Sequence, residues 1–191
     1  MIKIGNNLSE WSSYSCQPNT KKELEEIIKE RMIEQGEYCD LNDIDTSLIT
    51  DMSCLFHSSW FNGNISKWDV SNVTDMRSMF FLSKFTGDIS DWNVSSVKNM
   101  YSMFGASEFN SDISRWDMRS AVNMGFMFHD SKFNQPLKDW DVSNVKNMRG
   151  MFYESKFNQD ISRWKISKDC NVTNMLDDCP IRKEFRPVLP K

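Results

Sequence analysis

The sequence predicts an α/β architecture: a right-handed solenoid with short parallel strands on its concave side, short helices on its convex side and an N-terminal capping helix. Three observations predict it. A 24-residue block returns at Phe61, Phe85, Phe109, Phe133 and Phe157. Inside each block the apolar spacing changes halfway, and a separate helical segment precedes the first block. A repeat of this size cannot bury its apolar face alone, so neighbouring copies must stack around one continuous core.

The N-terminal segment comes first. Asn19-Thr20-Lys21-Lys22-Glu23 has the form of a capping box, with Thr20 reaching Glu23. Leu24, Ile27, Ile28 and Met32 then form a helical stripe that stops near Gly36. This helix is expected to cover the open end of the stack. The chain therefore divides into a cap (1–36), repeats (37–179) and a C-terminal tail (180–191).

In the repeats, Ile65, Trp68 and Val70 read as I-x-x-W-x-V, the strand of a leucine-rich-repeat-like unit. Val73, Met76, Met79 and Phe80 follow at i, i+3, i+6 and i+7, a stripe that predicts a short helix. Trp68, Trp92, Trp116, Trp140 and Trp164 fall in one column and are expected in the core rather than on a carbohydrate platform. A degenerate first copy carries Ile49, Met52, Leu55 and Phe56. In the last copy, three extra residues around Lys168-Asp169-Cys170 are expected to break register.

Composition limits the function. The chain has 191 residues with 26% charged, and its 27 acidic side chains against 23 basic ones disfavour a general nucleic-acid binder. No stretch approaches transmembrane length, and the start lacks an apolar leader, so a cytoplasmic protein without membrane insertion is expected. The five cysteines form no C-x-x-C pair, which points to reduced thiols; a Cys170–Cys179 pair remains open. His57 and His129 lie three copies apart and are not expected to be neighbours. No metalloprotease, phosphate-loop or nucleophile-elbow motif is present, so neither enzyme nor cofactor is expected. The Asp/Asn columns (Asn64, Asp88, Asp112, Asp160; Asp69, Asn93, Asp117, Asp141) are read as turn and cap chemistry, with calcium the weaker option.

The repeats Trp68-Asp69-Val70-Ser71-Asn72-Val73-Thr74-Asp75-Met76 and Trp140-Asp141-Val142-Ser143-Asn144-Val145-Lys146-Asn147-Met148 resemble those of BspA-like leucine-rich-repeat proteins. The entry segment from Asp40 to Ser53 and the ending Cys179-Pro180-Ile181 are also similar to that family's. The resemblance implies a bacterial or mobile-element origin and a non-enzymatic binding solenoid, often on cell surfaces.

Specificity in a repeat protein sits in the columns that vary. One such column, Lys67, Asp91, Arg115, Asp139 and Arg163, alternates in charge and is expected on the concave face. A second flank pairs Arg77 with Phe81, Tyr101 with Gly105, Gly125 with His129, and Arg149 with Tyr153. Lys84, Lys132 and Lys156, interrupted by Glu108, run beside it, with Lys98 and Lys146 adding charge. The candidate partner-binding residues are therefore Arg77, Phe81, Tyr101, His129, Arg149, Tyr153, Lys67, Arg115 and Arg163. The expected function is a monomeric, non-catalytic protein-binding module, a small inhibitor or effector of phage or mobile-element type. Its partner would be a host protein or nucleoprotein complex. A surface adhesin and a nucleic-acid binder using the basic flank are the alternatives.

Overall fold

The computed structural model describes residues 14–190. The reading of the first residues as free of an apolar leader lies outside them. Among the described residues one α-helix, α1 (Lys21–Gln35), is followed by stacked 24-residue coils and a single 3-10 turn, Lys183–Phe185.

The cap forms as its sequence dictates. The Thr20 hydroxyl accepts from the Glu23 N–H at 3.2 Å, while the Glu23 carboxylate reaches back to the Asn19 N–H at 2.7 Å. Gly36 ends the helix at φ 83°, a left-handed conformation for which glycine is the usual choice. Leu24 and Ile28 enter the core, and Lys21 bonds the Ser53 hydroxyl at 2.7 Å, so α1 lies against the first coil.

The coils contain neither the predicted strands nor the predicted helices, so the chain is not an α/β leucine-rich-repeat solenoid. Among the described residues the repeats hold only isolated parallel bridges. These run through Asp51, Asp75, Asn99, Asn123, Asn147 and Asn171, one residue per coil, with further bridges between Asp40 and Asn64 and between Cys16 and Ile44. The segment read as helix is instead a chain of tight turns. The N–H groups of Met76, Ser78, Phe80 and Leu82 reach the next coil's carbonyls at Asn99, Tyr101, Met103 and Gly105, at 2.8–3.0 Å. The intervening N–H groups of Met79, Phe81 and Ser83 close four-residue turns on Met76, Ser78 and Phe80, each at 3.2 Å. Ser78 and Leu82, the third residues of two of these turns, have φ of 52° and 55°, as a type II turn requires. The pattern recurs in each following coil, with left-handed residues every fourth position.

Spacing explains the outcome. Phe56, Phe80, Phe104, Phe128 and Phe152 stack as one ladder with ring centroids 5.5–5.7 Å apart. Phe61, Phe85, Phe109, Phe133 and Phe157 form a second at 6.1–6.4 Å. Packed helices need about 8–10 Å, so a helix in every copy would force the coils apart. Tandem turns keep the same residues inward and let the coils close to the spacing of paired extended chains, about 4.8 Å. The i, i+3, i+6, i+7 stripe marks buried positions correctly but is shared by both backbones.

The Trp column is buried as expected, at 3–4% exposure. Each indole N–H donates to a carbonyl of the preceding coil: Trp68 to Leu41, Trp92 to Ile65, Trp116 to Ile89, Trp140 to Ile113 and Trp164 to Leu137, at 2.8–3.1 Å. The stack starts earlier than the sequence suggested, since Leu41 and Ile44 fill the Ile65 and Trp68 columns one coil before. At the other end the expected register break is absent. Asn171 bridges Asn147, and the Phe152 N–H reaches the Met175 carbonyl, so the 24-residue period holds. All five cysteines are free. Cys179 occupies the column of the buried Ser155 and donates to the Phe157 carbonyl at 3.2 Å.

Candidate functional site

The constant columns are corners. In each, a side-chain oxygen accepts the N–H two residues on. Both Asp/Asn columns behave this way, from Asn64 with Ser66 at 3.2 Å and Asp88 with Ser90 at 2.9 Å to Asp141 with Ser143 at 3.1 Å. A third column that the sequence reading passed over does the same: Asp51, Asp75, Asn99, Asn123, Asn147 and Asn171. Among the described residues no three His, Cys, Asp or Glu side chains converge to hold a metal ion.

These bonds carry a pH dependence. The Ser90 and Ser114 backbone N–H groups hold the Asp88 and Asp112 carboxyls below their ordinary range, and the Ser143 hydroxyl does so for Asp141. A carboxyl whose folded pKa is lowered stabilises the fold above its unfolded pKa, and that contribution is lost as pH falls through the folded value. Stability in urea titrations is therefore expected to be flat above about pH 5 and to decline progressively below about pH 4.

The alternating charge row holds one ion pair among the described residues. Arg115 pairs with Asp91 at 2.9 Å, and no other pair within the row comes within 4.0 Å among the described residues. Lys67 lies instead in a shallow hollow with Tyr14, Asn42 and Asp43. The row is a line of solvated charges with one ion pair, and Lys67, Arg115 and Arg163 are not brought to the other candidates.

The second flank does form a patch. Phe81, in the tandem-turn segment, stacks on His57 at 5.1 Å from the preceding coil. On its other side it meets His129, two coils on, at 5.7 Å. Gly105 lies between them: a Cβ there would fall 2.5 Å from the His129 ring, so the missing side chain lets the two rings touch. The His129 Nδ1 hydrogen-bonds the Phe126 carbonyl at 2.9 Å, and its ring meets Phe126 edge-on at 5.5 Å. Tyr101 approaches Phe126 edge-on at 5.8 Å, and the Arg149 guanidinium lies 5.8 Å over its face. Gly150, at φ 57°, would place a Cβ 2.4 Å from that ring. Rings on some coils thus fit into glycine gaps on the next. The result is one continuous, half-exposed strip of His57, Phe81, His129, Phe126, Tyr101 and Arg149.

Two members were missed. His57 and His129 are not in direct contact, as their separation predicts, but Phe81 lies between them and joins His57 to the strip. Phe126 was overlooked, although it stands where the neighbouring copies have Ser78, Ser102 and Gly150; that break in a column was the available signal. Of the expected residues, Arg77 turns to Asp75 at 3.7 Å, and Tyr153 sits half-buried in the Phe81 column.

The basic edge is partly neutralised. Lys84 and Lys132 both pair with Glu108, and these bonds hold the Glu108 carboxyl below its ordinary range. Lys84 also lies 5.7 Å over the exposed Trp60.

A family model described as "Mycoplasma protein of unknown function, DUF285" matches residues 23–132 and 104–185. The chain belongs to the DUF285 family. The BspA-like resemblance is corrected accordingly: the matching family is DUF285, and among the described residues this chain has none of the strands that a leucine-rich repeat requires. Comparison with curated proteins and with solved structures gives no match. Among the described residues of this DUF285 chain, no helix is long and apolar enough to cross a membrane. Its strip offers ring faces, an imidazole and a guanidinium on a rigid frame. Such groups suit recognition by stacking, cation–π contact and hydrogen bonding.

Proposed function

We propose that this DUF285 protein is a non-catalytic binding module that recognises a protein partner through the aromatic strip. The observation that carries the reading is the position of the strip. It occupies columns where the copies differ and where side chains of several coils meet, on a frame whose constant columns are fixed by core packing or corner bonds. Tyr and Arg are enriched among the residues that dominate protein–protein binding, and half-exposed rings on a rigid support lose little freedom on binding. The basic edge favours nucleic acid less, because Glu108 already engages Lys84 and Lys132.

Affinity capture from native lysate tests it, comparing the wild type with a variant carrying Phe81→Ala, Tyr101→Ala, Phe126→Ser and Arg149→Ala. The expected result is a partner retained by the wild type and lost by the variant, with matching circular dichroism. Equal retention by both, or none by either, overturns the reading.

A further inference from the structure

Each coil donates four alternate N–H groups to the coil that follows, and the donors of the last coil meet no further coil among the described residues. Met148, Gly150, Phe152 and Glu154 reach Asn171, Thr173, Met175 and Asp177 at 2.8–3.1 Å. The matching donors 24 residues on are Val172, Asn174, Leu176 and Asp178, and none has an acceptor among the described residues. The N–H groups between them are satisfied locally: Thr173 bonds the Asn171 side chain, and Met175, Asp177 and Cys179 close turns within the coil. The C-terminal tail covers another part of this end, where the Phe185 carbonyl takes the Ile161 N–H at 3.0 Å. Of the four donor residues Asn174 and Asp178 are exposed, Val172 is half-buried, and Leu176 is buried at 8% exposure.

We propose that this open row is a docking edge for a basic segment of a partner polypeptide, which adds to the stack, in the tandem-turn form of the coils themselves, where another coil would lie. The site is separate from the aromatic strip and does not depend on it. A row of donors two residues apart calls for carbonyls in the same rhythm, which in every other coil come from the tandem-turn segment of the coil that follows. A second copy of this chain is a poor occupant, because the corresponding carbonyl row begins at Asp51 and Ser53. There Lys21 of α1 is already bonded, and Ser53 is 3% exposed. Charge selects the segment. The column Leu82, Ala106, Asp130, Glu154, Asp178 becomes acidic toward this end, with Asp177 beside it. These four carboxylates are in no ion pair among the described residues, while Arg115, Arg119 and Arg31 each have one. A bond to Glu154, together with the charge of Glu154, Asp178 and Asp177, pushes the Tyr153 phenol up. Lysine or arginine side chains on the docked segment would relieve this like-charge stack.

The probe is a synthetic peptide of residues 146–156, Lys-Asn-Met-Arg-Gly-Met-Phe-Tyr-Glu-Ser-Lys. In the chain its carbonyls at Asn147, Arg149, Met151 and Tyr153 already serve the preceding coil in this way. It would be titrated into the ¹⁵N-labelled full chain. The expected result is saturable shifts of the Val172, Asn174, Leu176 and Asp178 amides, with their hydrogen exchange slowed about tenfold or more at saturation. A Glu154→Gln, Asp177→Asn, Asp178→Asn variant, its fold checked in the same spectra, should bind about 3–10-fold more weakly, and salt should weaken the wild type likewise. No shift at those four amides at millimolar peptide, or shifts confined to the aromatic strip, would overturn the edge. Binding unchanged by the charge variant and by salt would overturn the basic occupant.

Discussion

Phe104→Ala is expected to lower the unfolding free energy by about 3–5 kcal/mol, measured by urea titration. Phe104 lies at the middle of the first ladder, between Phe80 at 5.6 Å and Phe128 at 5.7 Å, and stacks on Phe109 of the second ladder at 4.1 Å. It is fully buried, and its coil is hydrogen-bonded to both neighbours, so the surroundings have little freedom to collapse into the cavity. In a stack the core of each coil packs only on its immediate neighbours, and a defect in the centre also weakens coupling between the two halves. A broadened or two-step transition should accompany the loss. A cost below about 1 kcal/mol would mean that the ladders do not carry the stack.

Trp116→Leu is the second large effect, at about 3–5 kcal/mol, and it combines two losses. The indole fills a column that is 3% exposed, and its N–H donates to the Ile89 carbonyl at 3.1 Å. Leucine leaves both a void and a buried carbonyl without its partner. Trp116→Phe separates these terms, since it keeps most of the ring and removes only the donor. It is expected to cost about 1–3 kcal/mol, the penalty of an unmade buried hydrogen bond. If Trp116→Phe matched the wild type, the tie between coils would reside in packing alone.

The same columns show what could be read from the sequence. Period, core positions, the α1 cap with Thr20 and Gly36, and the corner role of the Asx columns all follow from residue type and spacing. Backbone conformation inside the repeat does not. A stripe such as Val73, Met76, Met79 and Phe80 faces inward in a helix and in tandem turns alike. What separates them is the left-handed backbone at positions such as Ser78 and Leu82, which the usual signal, glycine, marks in only one coil, at Gly150. The expected register break failed for a related reason. Cys170 and Val172 replace the usual residues without changing the coil length, so a change of residue type resembled an insertion. The candidate site was half legible. Phe81, Tyr101, His129 and Arg149 stood out as varying residues. The contact of His57 and His129 through Phe81, by contrast, depends on Gly105 being small, which only the packing between coils reveals.

The strip can serve recognition only if the stack does not require it, and Phe126 tests this most directly. Other copies hold Ser78, Ser102 and Gly150 in its place, and its ring lies on the surface against Tyr101, His129 and Arg149. The deciding measurement is the unfolding free energy of Phe126→Ser beside the wild type. A difference within about 1 kcal/mol is predicted, as for a surface position whose neighbours already carry serine. A loss of about 3–5 kcal/mol, the cost of a core phenylalanine, would make the strip part of the packing and contradict its assignment as a binding surface.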